Sequence, residues 1–331
     1  MSSNSSILGH EVTYDSDEGT MVDVHGAAKG GSHGPSGGGG GGGTVTGSTP
    51  SATMVGSSTG LQIDLIWDSS VANAPSGFTT AVADAASYFA SQFSTREIIN
   101  IHVGWGEVNG QSLMSGAIGE SQTNGYLTNF VTATNHLTQL GYSFNAINEP
   151  TGAQFFLTNA QAKDSGILAY NASGTDGYIG FGAGFSWNTQ ATTGALGSGT
   201  GSGQYDLQSV AQHELTEVMG RIEMQGQSFS GVATYTTTDL FNFKSPGVLE
   251  LSGGGGYFSI DDGVTNLGWF NNATSHGGDI ADWATSPGTL GLLGGYQDSF
   301  DAFGYSGING DASSSDVQIV GALGFGGIFL A

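Results

Sequence analysis

The sequence predicts an α+β fold: a mixed twisted sheet, one long helix carrying a polar motif, and a loop-rich C-terminal part. Three observations lead there. Leu61, Ile63, Leu65 and Trp67 alternate with polar residues, which marks a strand because successive side chains point to opposite faces. Phe78, Val82, Ala85, Phe89 and Phe93 then follow at helical spacing, and "EIINIHVGW" restores the period of two, so the ordered part starts β-α-β. Further on, short aromatic runs such as "VLELSGGGGYFSIDDG" alternate with turns and loops.

In chain order, residues 1–60 read as a disordered leader, since Gly37 to Gly43 form an unbroken glycine run amid Ser, Thr and Pro. Order is expected from Leu61. Pro75 suits the approach to the first helix, and Ile99, Ile101 and Val103 share one strand face while His102 takes the other. A second helix is expected over Tyr126 to Leu140, stopped by Gly141, with His136 at its surface or core edge. "DGYIGFGAGFSW" (Asp176 to Trp187) reads as a glycine-interrupted strand, and internal glycine in a strand marks close approach of another backbone. In "YDLQSVAQHELTEVMG", Leu207, Val210, Ala211, Leu215, Val218 and Met219 make an apolar stripe, with Asp206 as N-cap and Gly220 as stop. One domain over 61–331 is the economical division, its N-terminal part 61–220 and its C-terminal part 221–331.

Five Lys and Arg face 28 Asp and Glu, a formal net charge of −23. That balance argues against nucleic acid and anionic membrane surfaces as partners, because both need clustered cations. The chain has no Cys, which excludes disulfides, thiolate metal sites and thiol nucleophiles. Its start, "MSSNSSILGHEVTYDSDEG", lacks the basic and apolar regions of a cleavable signal peptide, and no stretch is apolar enough for a membrane span. The end, "VQIVGALGFGGIFLA", resembles the uncleaved C-terminal signals of bacterial type I export substrates, and equally a last strand or helix of the core.

"QHELTEVMGRIE" carries the chemistry. Residues i and i+4 share a helix face, so His213 and Glu217 project side by side and one helix can offer two ligands to one ion. Glu214 lies about 100° around, within reach of a water on that ion. Gly220 and Glu223 stand seven and ten positions after His213. Against this stands a plain salt bridge: Glu217 and Arg221 are also i,i+4, worth about 0.3–0.5 kcal/mol on a helix surface.

The spacing H-E-x-x-E-x-x-G-x-x-E resembles the metzincin metallopeptidases at His213, Glu214, Gly220 and, by position, Glu223. It is similar in more detail to a group of uncharacterised exported bacterial proteins with an HEISEVMGR-type motif. The resemblance implies a zincin or metzincin-like fold and a secreted metallopeptidase, with His213, Glu217 and Glu223 as metal ligands and Glu214 as general base. It also implies a peptide or protein substrate docking along an edge strand, a role assigned to Tyr178, Gly180 and Gly182. His276 is the alternative third ligand. Two carboxylates with one His suit zinc less than the family's three His do, and bring Mn²⁺ or Fe²⁺ into range. No Met follows Met224, so the family's Met-turn is missing. That absence favours the alternative, a non-catalytic exported or surface protein on the same scaffold, with or without metal. Asp261, Asp262, Asp279 and Asp282 could hold calcium, although Asp in turns more often hydrogen-bonds its own backbone.

Overall fold

The computed structural model describes residues 51–144, 150–190, 204–271, 279–284 and 314–326, together with the backbone of three short strands before residue 27. Those strands are β1 (Ser5–Ile7), β2 (His10–Tyr14) and β3 (Met21–Gly26). β4 (Ala52–Gly56) and β5 (Leu61–Trp67) follow, then α1 (Phe78–Gln92) and β6 (Glu97–Trp105). A small hairpin, β7 (Glu107–Val108) and β8 (Gln111–Ser112), precedes the long β9 (Gly119–Thr128). Next come α2 (Phe130–Gln139), β10 (Gln154–Thr158), α3 (Asn159–Asp164) and β11 (Gly177–Phe181). The short pair β12 (Trp187–Asn188) and β13 (Tyr205–Asp206) leads into α4 (Leu207–Val218).

The main sheet is mixed, in the order β1-β2-β3-β9-β11-β6-β5-β4. β5 and β6 run parallel, as the β-α-β start implies, β11 runs parallel to β6, and β9 runs antiparallel to β11. Leu61, Ile63 and Leu65 of β5 and Ile99, Ile101 and Val103 of β6 point into one core with Phe78, Val82, Ala85 and Phe89 of α1. The alternation and helical spacing read from the sequence therefore describe this layer correctly. α4 packs beside α1 and beneath β9 and β11, so its whole length is buried.

Beyond α4, β14 (Ser228–Phe229) and β15 (Val232–Thr236) join β10. A separate antiparallel sheet follows, built from β16 (Asn242–Ser245), β17 (Val248–Leu249), β18 (Tyr257–Phe258), β19 (Gly268–Phe270) and β20 (Trp283–Ala284). Phe258, Phe270 and Trp283 from this sheet pack into the main core, so the C-terminal part shares it. α5 (Ser314–Val320) and the wide helical turn Gly321–Phe325 bury Ile319, Val320, Leu323 and Phe325 there as well. Residues 317–326 of the apolar end thus lie in the core, and 327–331 lie outside the described residues. No helix among the described residues is long and apolar enough to cross a membrane.

Three expectations need correction. The segment 1–60 is not featureless: β4 pairs with β5 over five residues, and β3 pairs with β9 over six. The glycine run Gly37 to Gly43 lies outside the described residues. The second helix starts at Phe130, because Tyr126 belongs to β9 and the Asn129 side chain caps the helix by accepting from Thr132 N. Finally, the strand expected over Asp176 to Trp187 is regular only over Gly177–Phe181, and it is internal.

Candidate metal centre

α4 is set at both ends by its own sequence. Asp206 accepts from the backbone N–H of Gln208 and Ser209, which have no intrahelical partner. Gly220 ends the turn with φ of 116°, and a Cβ there would lie 2.7 Å from the Gln161 carboxamide carbon. Only glycine meets both conditions. The helix thereby fixes His213, Glu214 and Glu217 under β9.

His213 Nε2 lies 3.3 Å from Glu217 Oε1 and 3.5 Å from Asp282 Oδ1. Each of the three residues offers a ligand atom, and these atoms all lie within 4.8 Å of one another. This buried group could hold a metal ion: one imidazole nitrogen and two carboxylate oxygens are a donor set used by zinc and by harder first-row ions. Glu217 is held from its other side by Ser121 of β9, whose hydroxyl donates to Oε2 at 2.6 Å. Burial pushes the Glu217 carboxyl up, but the hydrogen bond and charge of His213, with Arg221 and Ser121, outweigh it and hold the group well below the usual carboxylate range.

Arg221 is the unexpected member. The i,i+4 pairing with Glu217 suggested an exposed salt bridge, yet the side chain is fully buried and Nη2 stays 4.0 Å from Glu217 Oε1. Its Nε donates to Thr216 Oγ1 at 2.9 Å, and its Nη1 donates to the Ala281 carbonyl at 2.8 Å and reaches Asp282 Oδ1 at 3.4 Å. Arg221 thus ties the motif helix to the loop that delivers Asp282.

Glu214 is completely buried, and neither carboxyl oxygen has a hydrogen-bond partner. Burial, then the neighbouring Glu217, raises its pKa well above the ordinary value, against the lowering effect of His213. Gly119 of β9 leaves room for it, since a Cβ there would sit 2.3 Å from Glu214 Oε1.

Glu223 is not part of this group. Its Oε1 accepts from Asn242 Nδ2 at 2.8 Å, and the segment after Gly220 is bonded to residues 236–239. Asp282 takes the third position. His276 lies outside the described residues. Among the described residues the four aspartates put forward for calcium do not form one oxygen-rich cluster. Asp261 instead accepts from Ser259 and Thr265, a turn of the ordinary kind, with Asp262 beside it at φ of 57°. Asp279 N donates to Asp282 Oδ2 and so orients that carboxylate.

The docking role given to Tyr178, Gly180 and Gly182 does not fit either. β11 pairs with β6 on one side and β9 on the other, so Tyr178 and Gly180 lie on an internal strand with no free edge for a peptide. Gly182, just past it, donates its N–H to Ile118 O, and Gly180 is glycine because the Glu107 carbonyl approaches within 2.3 Å of where a Cβ would stand. Of the residues the sequence did not offer as ligands of this ion, only Asp282 carried a signal, its place in "GGDIADWA"; Ser121 carried none. No family model matches the sequence, and neither curated proteins nor solved structures provide a match.

Proposed function

We propose that the chain is a metal-dependent peptidase of the zincin type, in which His213, Glu217 and Asp282 hold the ion and Glu214 is the general base. The observation that carries this reading is the convergence of those three side chains with a fourth, unpartnered carboxyl one residue along the same helix. A divalent ion bound there would act as a Lewis acid on a peptide carbonyl and on water. Glu214 would accept the proton from the attacking water and return it to the amide nitrogen as the C–N bond breaks, so no proton is gained or lost. Arg221 would keep Asp282 in place and balance part of the carboxylate charge. The metzincin-like arrangement, zinc with Mn²⁺ or Fe²⁺ as substitutes, a peptide or protein substrate and an extracellular location all belong to this proposal.

One observation favours the alternative, a non-catalytic exported scaffold. Arg221 already brings a positive charge to Glu217 and Asp282, so the group is partly compensated without an ion. Elemental analysis of purified protein, with a broad peptide library, separates the two. The peptidase reading expects one transition-metal ion per chain, lost in His213→Ala and in Asp282→Ala. It also expects Glu214→Gln to keep the ion while cleavage falls by about 10²–10⁴-fold. A chain that holds the ion and cleaves nothing is a scaffold; one without the ion is held by Arg221 alone.

A further inference from the structure

A second buried polar cluster lies beyond the motif helix, and the proposed chemistry does not use it. Glu223 leaves Gly220 in a segment bonded to the stretch 236–239: Thr238 Oγ1 donates to Gly220 O at 2.7 Å, and Met224 N donates to Asp239 Oδ2 at 3.1 Å. Asp239 Oδ2 also accepts from Thr236 N at 2.6 Å. Asn242 Nδ2 holds Glu223 Oε1 at 2.8 Å. Three oxygens remain, Glu223 Oε2, Asp239 Oδ1 and Asn242 Oδ1, each shut off from solvent without a hydrogen-bond partner.

We propose that Glu223 and Asp239 are the anionic ligands of a second metal site, separate from His213, Glu217 and Asp282, that takes a hard divalent cation of the calcium class. Asp239 holds the backbone N–H of Met224, the residue next to Glu223, and two buried carboxylates brought that near are strongly unfavourable unless a charge of about +2 or two protons cancel them. The charge of Arg221 eases Glu223, but its Nε and Nη1 hydrogen bonds go to Thr216 and Ala281, and Lys244 pairs with Glu250 at 3.0 Å. The Glu250 carboxylate is in turn satisfied by Ser252. The free donors are oxygen alone, with no imidazole, and oxygen donors select calcium or magnesium over zinc. The Gln225 side chain, which lowers the Asp239 carboxyl against its burial, is the internal competitor for that carboxylate. The burial that raises both the Glu223 and the Asp239 carboxyls above their ordinary range is the penalty such an ion would relieve.

The test uses the full chain, stripped with chelator and reloaded with zinc and calcium chlorides. Wild type should carry two ions, one of each, and His213→Ala should keep the calcium while losing the zinc. Glu223→Gln and Asp239→Asn, which keep size and hydrogen bonding, should each weaken calcium binding by at least roughly tenfold and leave zinc content unchanged. Calcium should also raise the melting temperature of His213→Ala. The proposal is overturned if wild type binds no calcium, if calcium binding vanishes with His213, or if both carboxylate variants bind it as tightly as wild type. The wild-type stoichiometry decides even where a variant does not fold. Loss of the zinc site alone would count against the peptidase reading and leave this one standing.

Discussion

Gly119 sits where β9 passes over Glu214, and an added methyl group would stand 2.3 Å from Glu214 Oε1 and 2.6 Å from Val210 Cγ1. Gly119→Ala should therefore cost about 1–3 kcal/mol by overpacking, read as a lower urea midpoint at unchanged slope. Glu97 offers a pH test away from the candidate metal centre. It is buried at the start of β6, with neither oxygen hydrogen-bonded. Burial first, then Asp164 and Asp176, raise its pKa well above the ordinary 4.5, against Lys163. The folded state thus holds this proton more tightly than the unfolded chain. The resulting stability is complete below about pH 4.5 and is lost as pH rises through the folded value. Glu97→Gln should flatten that fall in melting temperature between acid and neutral pH; an unchanged slope would show that Glu97 does not cause it. At this scale His213 and Glu217 were legible because a helix repeats every 3.6 residues and both stand on one. Asp282 was not legible as their partner: no period links positions so far apart in sequence.

Among elements, β4 shows where the leader expectation went astray. "ATMVG" is short and lies next to a glycine-rich stretch, yet it completes the sheet by pairing all five residues with β5. Thr53 Oγ1 also accepts from Trp67 Nε1 at 3.0 Å. A chain starting at Ser51 should fold with a higher melting temperature than one starting at Leu61, which exposes the β5 edge. Each kcal/mol lost should lower the midpoint by roughly 2–4 °C. Light scattering should also detect association through the bared edge in the shorter chain. β5, α1 and β6 were legible because their apolar periods are long and regular. β9 was not: "GESQTNGYLT" alternates small and polar residues, since its inner face rests on α4 through Ser121 and Thr123 and on Glu214 through Gly119. The same strand closes β11 on its second side, which is why the glycine signal in β11 marked backbone contact and no open edge.

At the scale of the whole molecule, composition foretold a chain that buries a core despite its charge of −23, and the aromatic residues of the second sheet complete that core. How the two sheets would meet was not written in any local pattern. The joint is made by Arg221, which links α4 to the Ala281 carbonyl and Asp282 just ahead of β20. This joint has a consequence in time. About 65 residues separate Glu217 from Asp282, an interval of roughly 3–13 s at ordinary rates of synthesis. Until the later residue has emerged and its sheet has docked, a growing chain owns only two of the three side chains that could hold an ion and lacks the carbonyl that anchors Arg221. The group is therefore assembled late, ahead of the helical segment 314–325 that also packs into the core, and a fragment cut short before residue 282 carries the motif without the means to complete it.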